Sequence, residues 1–90
     1  MISIKKFSTK WCSPCRMMQA EIRQLQKLHP SWKIEEIDID KNEEATKKNR
    51  INSVPTLIFS DGKKTKRISG FVKVGEIEDF VKKHFGDCKK

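Results

Sequence analysis

The apolar pattern opens with "ISIKKF" (Ile2 to Phe7), a short segment, β-branched at its start, that reads as a strand. The period then changes. Cys15, Met18, Ile22 and Leu25 fall at steps of three and four, the stripe of a helix predicted from Ser13 to Leu28. "HPSW" breaks it, because Pro30 removes a backbone donor and disfavours helical geometry in the residue before it. In "KIEEIDI" (Lys33 to Ile39), Ile37 and Ile39 alternate against Glu36 and Asp38 and predict a second strand. Asp40 and Glu43 resemble a capping box, and Lys47 and Lys48 close a short helix ending near Asn49.

"VPTLIFSDGKKTKRISG" predicts two antiparallel strands about a tight turn, with Asp61-Gly62 supplying the positive-φ positions. A last helix carries Ile77, Phe80, Val81, His84 and Phe85 on one face, and Gly86 is placed to terminate it. The order is β-α-β-α-β-β-α, an α/β class. The first two strands, joined by a long helix, are expected to be parallel neighbours with a right-handed crossover. The expected architecture is a four-stranded mixed sheet with helices on both faces, one domain over residues 1–86 and a short basic tail over 87–90.

Composition narrows the classes. Apolar and charged residues each make up 36% of the chain, which suits a soluble globular domain. No apolar run approaches the roughly 20 residues of a membrane helix, and "MISIKKF" lacks a secretory signal's apolar segment, so a cytoplasmic location is expected. The net charge of +8 raises the question of nucleic acid, but the bases are dispersed among twelve acids, with no aromatic-rich strand beside them. A generally basic surface is the favoured reading.

Candidate chemistry sits at "KWCSPCR". Three cysteines in 90 residues are too few for a disulfide scaffold, and the odd number leaves one thiol unpaired within a monomer. The first strand delivers Cys12 to the N-terminus of the first helix, where unpaired N–H groups and the helix dipole favour a thiolate. Cys15 lies one turn inside, on the same face, so the two sulfurs can close a disulfide. Pro14 suits the first helical turn and stiffens it. Cys12 is therefore the candidate attacking thiol, and Cys15 the resolving one. The competing reading is half of a metal site, which needs four ligands. Only Cys88, His29 and His84 remain to complete one. Cys88 reads as an exposed tail thiol, Trp32 as a packing residue, and Met17 and Met18 as divided between site rim and core.

"WCSPC" after "ISIKKF", with "SVPT" before the third strand, resembles the thioredoxin family over nearly the whole chain. The N-terminal strand and helix of full thioredoxins have no counterpart here, which leaves a glutaredoxin-sized core. The resemblance implies a protein-disulfide reductase without cofactor or metal. It implies that Trp11 flanks the site, that Val54-Pro55 is a cis peptide opposing the cysteines and keeping metal away, and that Val54 presents its backbone to substrate. It places Gly70 after the last strand, where close approach to substrate or motif wants no side chain. The implied partners are disulfide-bearing proteins, with thioredoxin reductase or glutathione as electron donor, acting on a monomer.

Departures from the family are specific. Six residues before the first cysteine, where thioredoxins carry a buried aspartate, stands Lys6, and the partner lysine aligns with Glu36. The pair is read as exchanged, with Lys6 facing Glu36 across two strands, against the alternative that both reach solvent. Ser13 replaces the usual glycine of "CGPC", and middle residues of this motif tune reduction potential. A glutaredoxin's second glycine near the last strand is missing from "ISGF", which weakens a glutathione-dependent reading. Another alternative is a binding module using the rim around Trp11, Val54 and Phe71. Two thiols at exchange spacing argue against it.

Overall fold

The structure, a computed structural model, describes residues 2–86. The expected tail and Cys88 lie outside the described residues. Strands β1 (Ser3–Ser8), β2 (Lys33–Asp38), β3 (Thr56–Ser60) and β4 (Thr65–Ser69) alternate with helices α1 (Ser13–Leu28), α2 (Glu43–Lys48) and α3 (Val74–Phe85) in the predicted order. One four-stranded sheet runs β2-β1-β3-β4. β1 pairs parallel with β2, and β3 pairs antiparallel with both β1 and β4, giving the mixed sheet read from the connections. The α1 boundaries coincide with the predicted ones, because the apolar stripe and Pro30 define both ends.

Side-chain alternation divides the sheet into two faces. Ile2 and Ile4 of the β1 segment meet Met18, Ile22 and Leu25 of α1, Leu57 and Phe59 of β3, and Ile77 and Val81 of α3 in one core, closed by Trp32. The opposite face buries Phe7 and Thr56, which are register partners, together with Ile58. α2 approaches from that side. Arg67, which pairs in register with Ile58, donates through its guanidinium to the carbonyls of Asn49 and Arg50 at the end of α2. Helices therefore cover both faces.

The end of the core farthest from the cysteines is tied by polar contacts. His29, the C-cap of α1, stacks on Trp32 at 3.9 Å between ring centroids, and its Nε2 lies 2.7 Å from Oε2 of Glu78 on α3. Gln26 donates its side-chain amide to the carbonyls of His29 and Trp32, holding the turn that Pro30 begins. The first turn of α3 is also bridged, because the Glu21 carboxylate of α1 accepts the Val74 N–H at 2.9 Å.

Local turn chemistry differs from the expectation in two places. The Asp40 N–H donates to the Asp38 carboxylate at 2.9 Å, a turn that ends β2 at Asp38 and leaves Asn42 as the N-cap of α2, so no Asp40–Glu43 capping box forms. Such a box bond forms instead at α3, where the Glu76 carboxylate accepts the Lys73 N–H. In the hairpin only Gly62 has positive φ, at 95°. Asp61 instead accepts the N–H groups of Lys63 and Lys64, so the connection is a carboxylate-held loop rather than a two-residue turn.

Leu25 and Leu28 share a helix and a chemistry, but Leu25 is fully buried while Leu28 is 52% exposed. Leu25→Ala is expected to lower the urea-denaturation free energy by about 2–5 kcal/mol, and Leu28→Ala by no more than about 0.5 kcal/mol. Equal losses would contradict the core assigned to this face.

Candidate active site

β1 hands the chain to α1 through a short loop shaped by Thr9. Its hydroxyl accepts the Trp11 N–H at 3.0 Å and its carbonyl accepts the Cys12 N–H. Cys12 is thereby placed as the N-cap of α1, in extended geometry, with Ser13 and Pro14 exposed in the first turn. The Cys15 N–H donates to the Cys12 sulfur at 3.1 Å, so an orphan amide of the helix end points at this sulfur, where it would favour a thiolate. Cys12 and Cys15 form a disulfide with their Cα atoms 5.2 Å apart, within the ordinary range for such a bond. Cys12 is half-buried, whereas Cys15 is 2% exposed and belongs to the buried stripe of α1.

The loop before β3 faces this sulfur pair. Val54-Pro55 is cis, and the Cys12 sulfur lies 3.7 Å from the Val54 carbonyl oxygen. Pro55 is buried; its carbonyl accepts the Gly70 N–H at 2.8 Å, which ties the end of β4 to the same loop. Gly70 corrects the expectation of close contact with the motif. A side-chain carbon added there would meet nothing in the protein, and the glycine is required by its φ of 93°. Trp11, 85% exposed, lines the site, and Phe71 and Met17 are exposed apolar side chains, while Met18 lies fully in the core.

Behind Cys15 a cleft of about 550 Å³ opens between α1 and the C-terminal ends of β1 and β2. Cys15, Lys6 and Glu36 line it together. Lys6 and Glu36 are register partners, and Lys6 is 1% exposed while the Glu36 side chain is 48% exposed. The 3.9 Å between Lys6 Nζ and Glu36 Oε1 is an ion-pair distance beyond hydrogen-bond reach. Burial holds the Lys6 pKa below its ordinary value, and the Glu36 carboxylate opposes that shift. The two residues thus face each other as read, but unequally buried.

Several lining residues were not singled out from the sequence. Asp38 continues the alternation of Glu36 on β2, and Thr9 is a turn-forming residue just before a helix; both signals were present. Gln19 joins the cleft one turn beyond Cys15, which only the packing of α1 reveals. His29 and His84 are separated from the cysteines by structural roles, His84 packing against Phe80 at 4.4 Å between centroids. Among the described residues no three His, Cys, Asp or Glu side chains gather as a metal site, and no helix is long and apolar enough to cross a membrane.

A reversible dithiol pair at a helix tip, on a four-stranded mixed sheet and opposed by a cis-proline loop, defines a thiol-disulfide oxidoreductase. The thioredoxin family model matches residues 2–83, and the chain belongs to the thioredoxin family. It is similar to the thioredoxin of Bacillus subtilis (strain 168), with 32% identity over 85 residues, 92% of this chain and 82% of that one. Among solved structures it is similar to thioredoxin-2, described as a component of malaria parasite protein secretion machinery. That match has a TM-score of 0.87 at 31% identity, covering 93% of this chain and 84% of the other. Fasciola hepatica thioredoxin superposes with a TM-score of 0.81 at 31% identity, over 92% of this chain and 80% of that one.

The unequal burial of the two sulfurs predicts unequal reactivity. In reduced Cys88→Ser protein, limited alkylation near neutral pH is expected to label Cys12 faster than Cys15 by more than about tenfold, as read by peptide mass spectrometry. Faster labelling of Cys15 would reverse the assigned roles.

Proposed function

We propose that the protein reduces disulfides in protein substrates, with Cys12 attacking and Cys15 resolving. The observation that carries this reading is the asymmetry of the pair: Cys12 is reachable at the helix tip, and Cys15 is buried one turn behind it. The Cys12 thiolate attacks one substrate sulfur, forming a mixed disulfide and expelling the other substrate sulfur as a thiolate. Cys15, as its thiolate, then attacks the Cys12 sulfur, which closes the internal disulfide and releases the second substrate thiolate. Two electrons pass from the cysteine pair to the substrate.

Substrate binding is assigned to the rim. An extended segment laid against the Val54 backbone would bring its disulfide over Cys12, since the Val54 carbonyl already lies 3.7 Å from that sulfur. Trp11 supplies apolar contact beside it, and Gly70, joined to Pro55, leaves the far side of the groove without a side chain. Ser13 and Pro14 tune the pair from the exposed first turn. The reading includes a monomer working in the cytoplasm, with a thioredoxin reductase as the electron donor and glutathione as the alternative; nucleic acid and membrane are not partners. No cofactor enters the cycle beyond the Cys12–Cys15 bond.

Insulin disulfide reduction, driven either by NADPH with thioredoxin reductase or by NADPH with glutathione and glutathione reductase, tests the reading and identifies the donor. Cys12→Ser is expected to abolish turnover and Cys15→Ser to accumulate the mixed disulfide with substrate. Undiminished turnover by Cys12→Ser would overturn the proposal. A second measurement addresses the rim: Trp11→Ala is expected to raise KM for a protein disulfide about two- to tenfold with kcat retained, matching the 0.5–1.5 kcal/mol of an aromatic contact.

A further inference from the structure

Lys6 is the charged residue of the core among the described residues, and the cycle described above does not use it. Three observations place it beneath the redox pair. It follows Ile2 and Ile4 on the face of the sheet that α1 covers, so its stem lies in the row that meets Met18, Ile22 and Leu25. The α1 helix runs back along β1, which brings its first buried residue, Cys15, to the C-terminal end of the strand where Lys6 stands. Both side chains line the same cleft.

The charges that face Lys6 are few and can be named by element. β2 contributes Glu36, at 3.9 Å and half-exposed, and Asp38 farther along; the loop after β1 contributes Lys10, and α1 contributes Arg16, both exposed. While the disulfide is closed, α1 offers the Lys6 ammonium no anion. A buried cation with one partly solvated partner is poorly compensated, so any anion formed above it is strongly favoured.

We propose that Lys6 is a positioning residue that acts through Cys15 and sets the direction of electron flow: opening the disulfide creates a Cys15 thiolate that pairs with the buried Lys6 ammonium. The inference rests on the oxidoreductase reading and deepens it. When a reducing dithiol delivers two electrons, the Cys12–Cys15 bond breaks into two thiolates, while the donor closes its own disulfide and gives up two protons. The Cys12 charge faces the N-terminus of α1, and the Cys15 charge faces Lys6. The open cleft passes the released protons to solvent. The reduced form thus gains an ion pair that the oxidised form lacks, and the couple is shifted toward oxidising power. An acid in the position of Lys6 would act in the opposite sense.

The test is the redox equilibrium of the full chain against reduced and oxidised glutathione, read by alkylation and mass spectrometry across a pH series. Lys6→Met is expected to lower the equilibrium constant for accepting electrons about tenfold or more, a fall of about 30 mV in potential. The pKa of Cys15, followed by thiolate absorbance, is expected to rise in the same variant. Lys6→Arg keeps the cation and is expected to stay within about threefold of the wild type. Lys6→Gln replaces the Met variant in the comparison if the latter is not recovered folded. An unchanged potential in the uncharged variant, or an equal fall in Lys6→Arg, would overturn the inference. Either result is separable from failure of the oxidoreductase reading, which would show as turnover surviving Cys12→Ser.

Discussion

The contact between α1 and the β1–β2 pair positions the Cys12–Cys15 pair and the charged side chains behind it. Four side chains of one helical stripe, Cys15, Met18, Ile22 and Leu25, are buried against the sheet, and three of them are unreactive core side chains. The fourth is a cysteine. Because the stripe continues to the first turn, the same burial that holds the helix also withdraws Cys15 from solvent and leaves Cys12, one turn earlier, at the exposed end. The difference in exposure between the two sulfurs is therefore a geometric consequence of where an amphipathic helix begins.

That contact also decides which side chains share the space behind the sulfurs. Alternation along β1 sends Lys6 to the helix-covered face with Ile2 and Ile4, while Phe7 turns to the opposite face under α2. A lysine in that row has one way to keep its charge near water, which is the cleft that also holds Cys15 and Glu36. Dipole and burial act on the two ends of one disulfide: the Cys15 N–H points at the Cys12 sulfur, and a lysine shares the cleft of Cys15. Ordinary core packing and unusual site electrostatics are here the same arrangement.

How much of this was legible from sequence depends on the range of the interaction. The bounds of α1, the parallel pairing of β1 with β2 and the burial of Cys15 in the helix stripe follow from periodicity and punctuation, which are local and repeated. The start of α2 and the form of the hairpin were misread because single carboxylates, Asp38 and Asp61, capture backbone N–H groups two or three residues on. Such bonds leave no periodic trace. Alternation placed Lys6 and Glu36 on one face, but the difference in their burial depends on how α1 lies over β1 and leaves the β2 side open. Residue-level resemblance supplied the cis geometry of Val54-Pro55; nothing in hydropathy distinguishes this proline from Pro30.

The bond from Arg67 to the end of α2 reaches beyond that helix. Arg67 grips the carbonyls of Asn49 and Arg50 from β4, and six residues after Arg50 the chain enters β3 at Thr56, beside β1. Residues 51–55 are thus strung like a short cable between two moorings on one rigid raft, with Gly70 adding a third line to Pro55. A cable so short has little slack. Val54 owes its fixed standing over Cys12 partly to an arginine on the opposite face of the sheet, which makes that distant side chain a tensioning point for the groove.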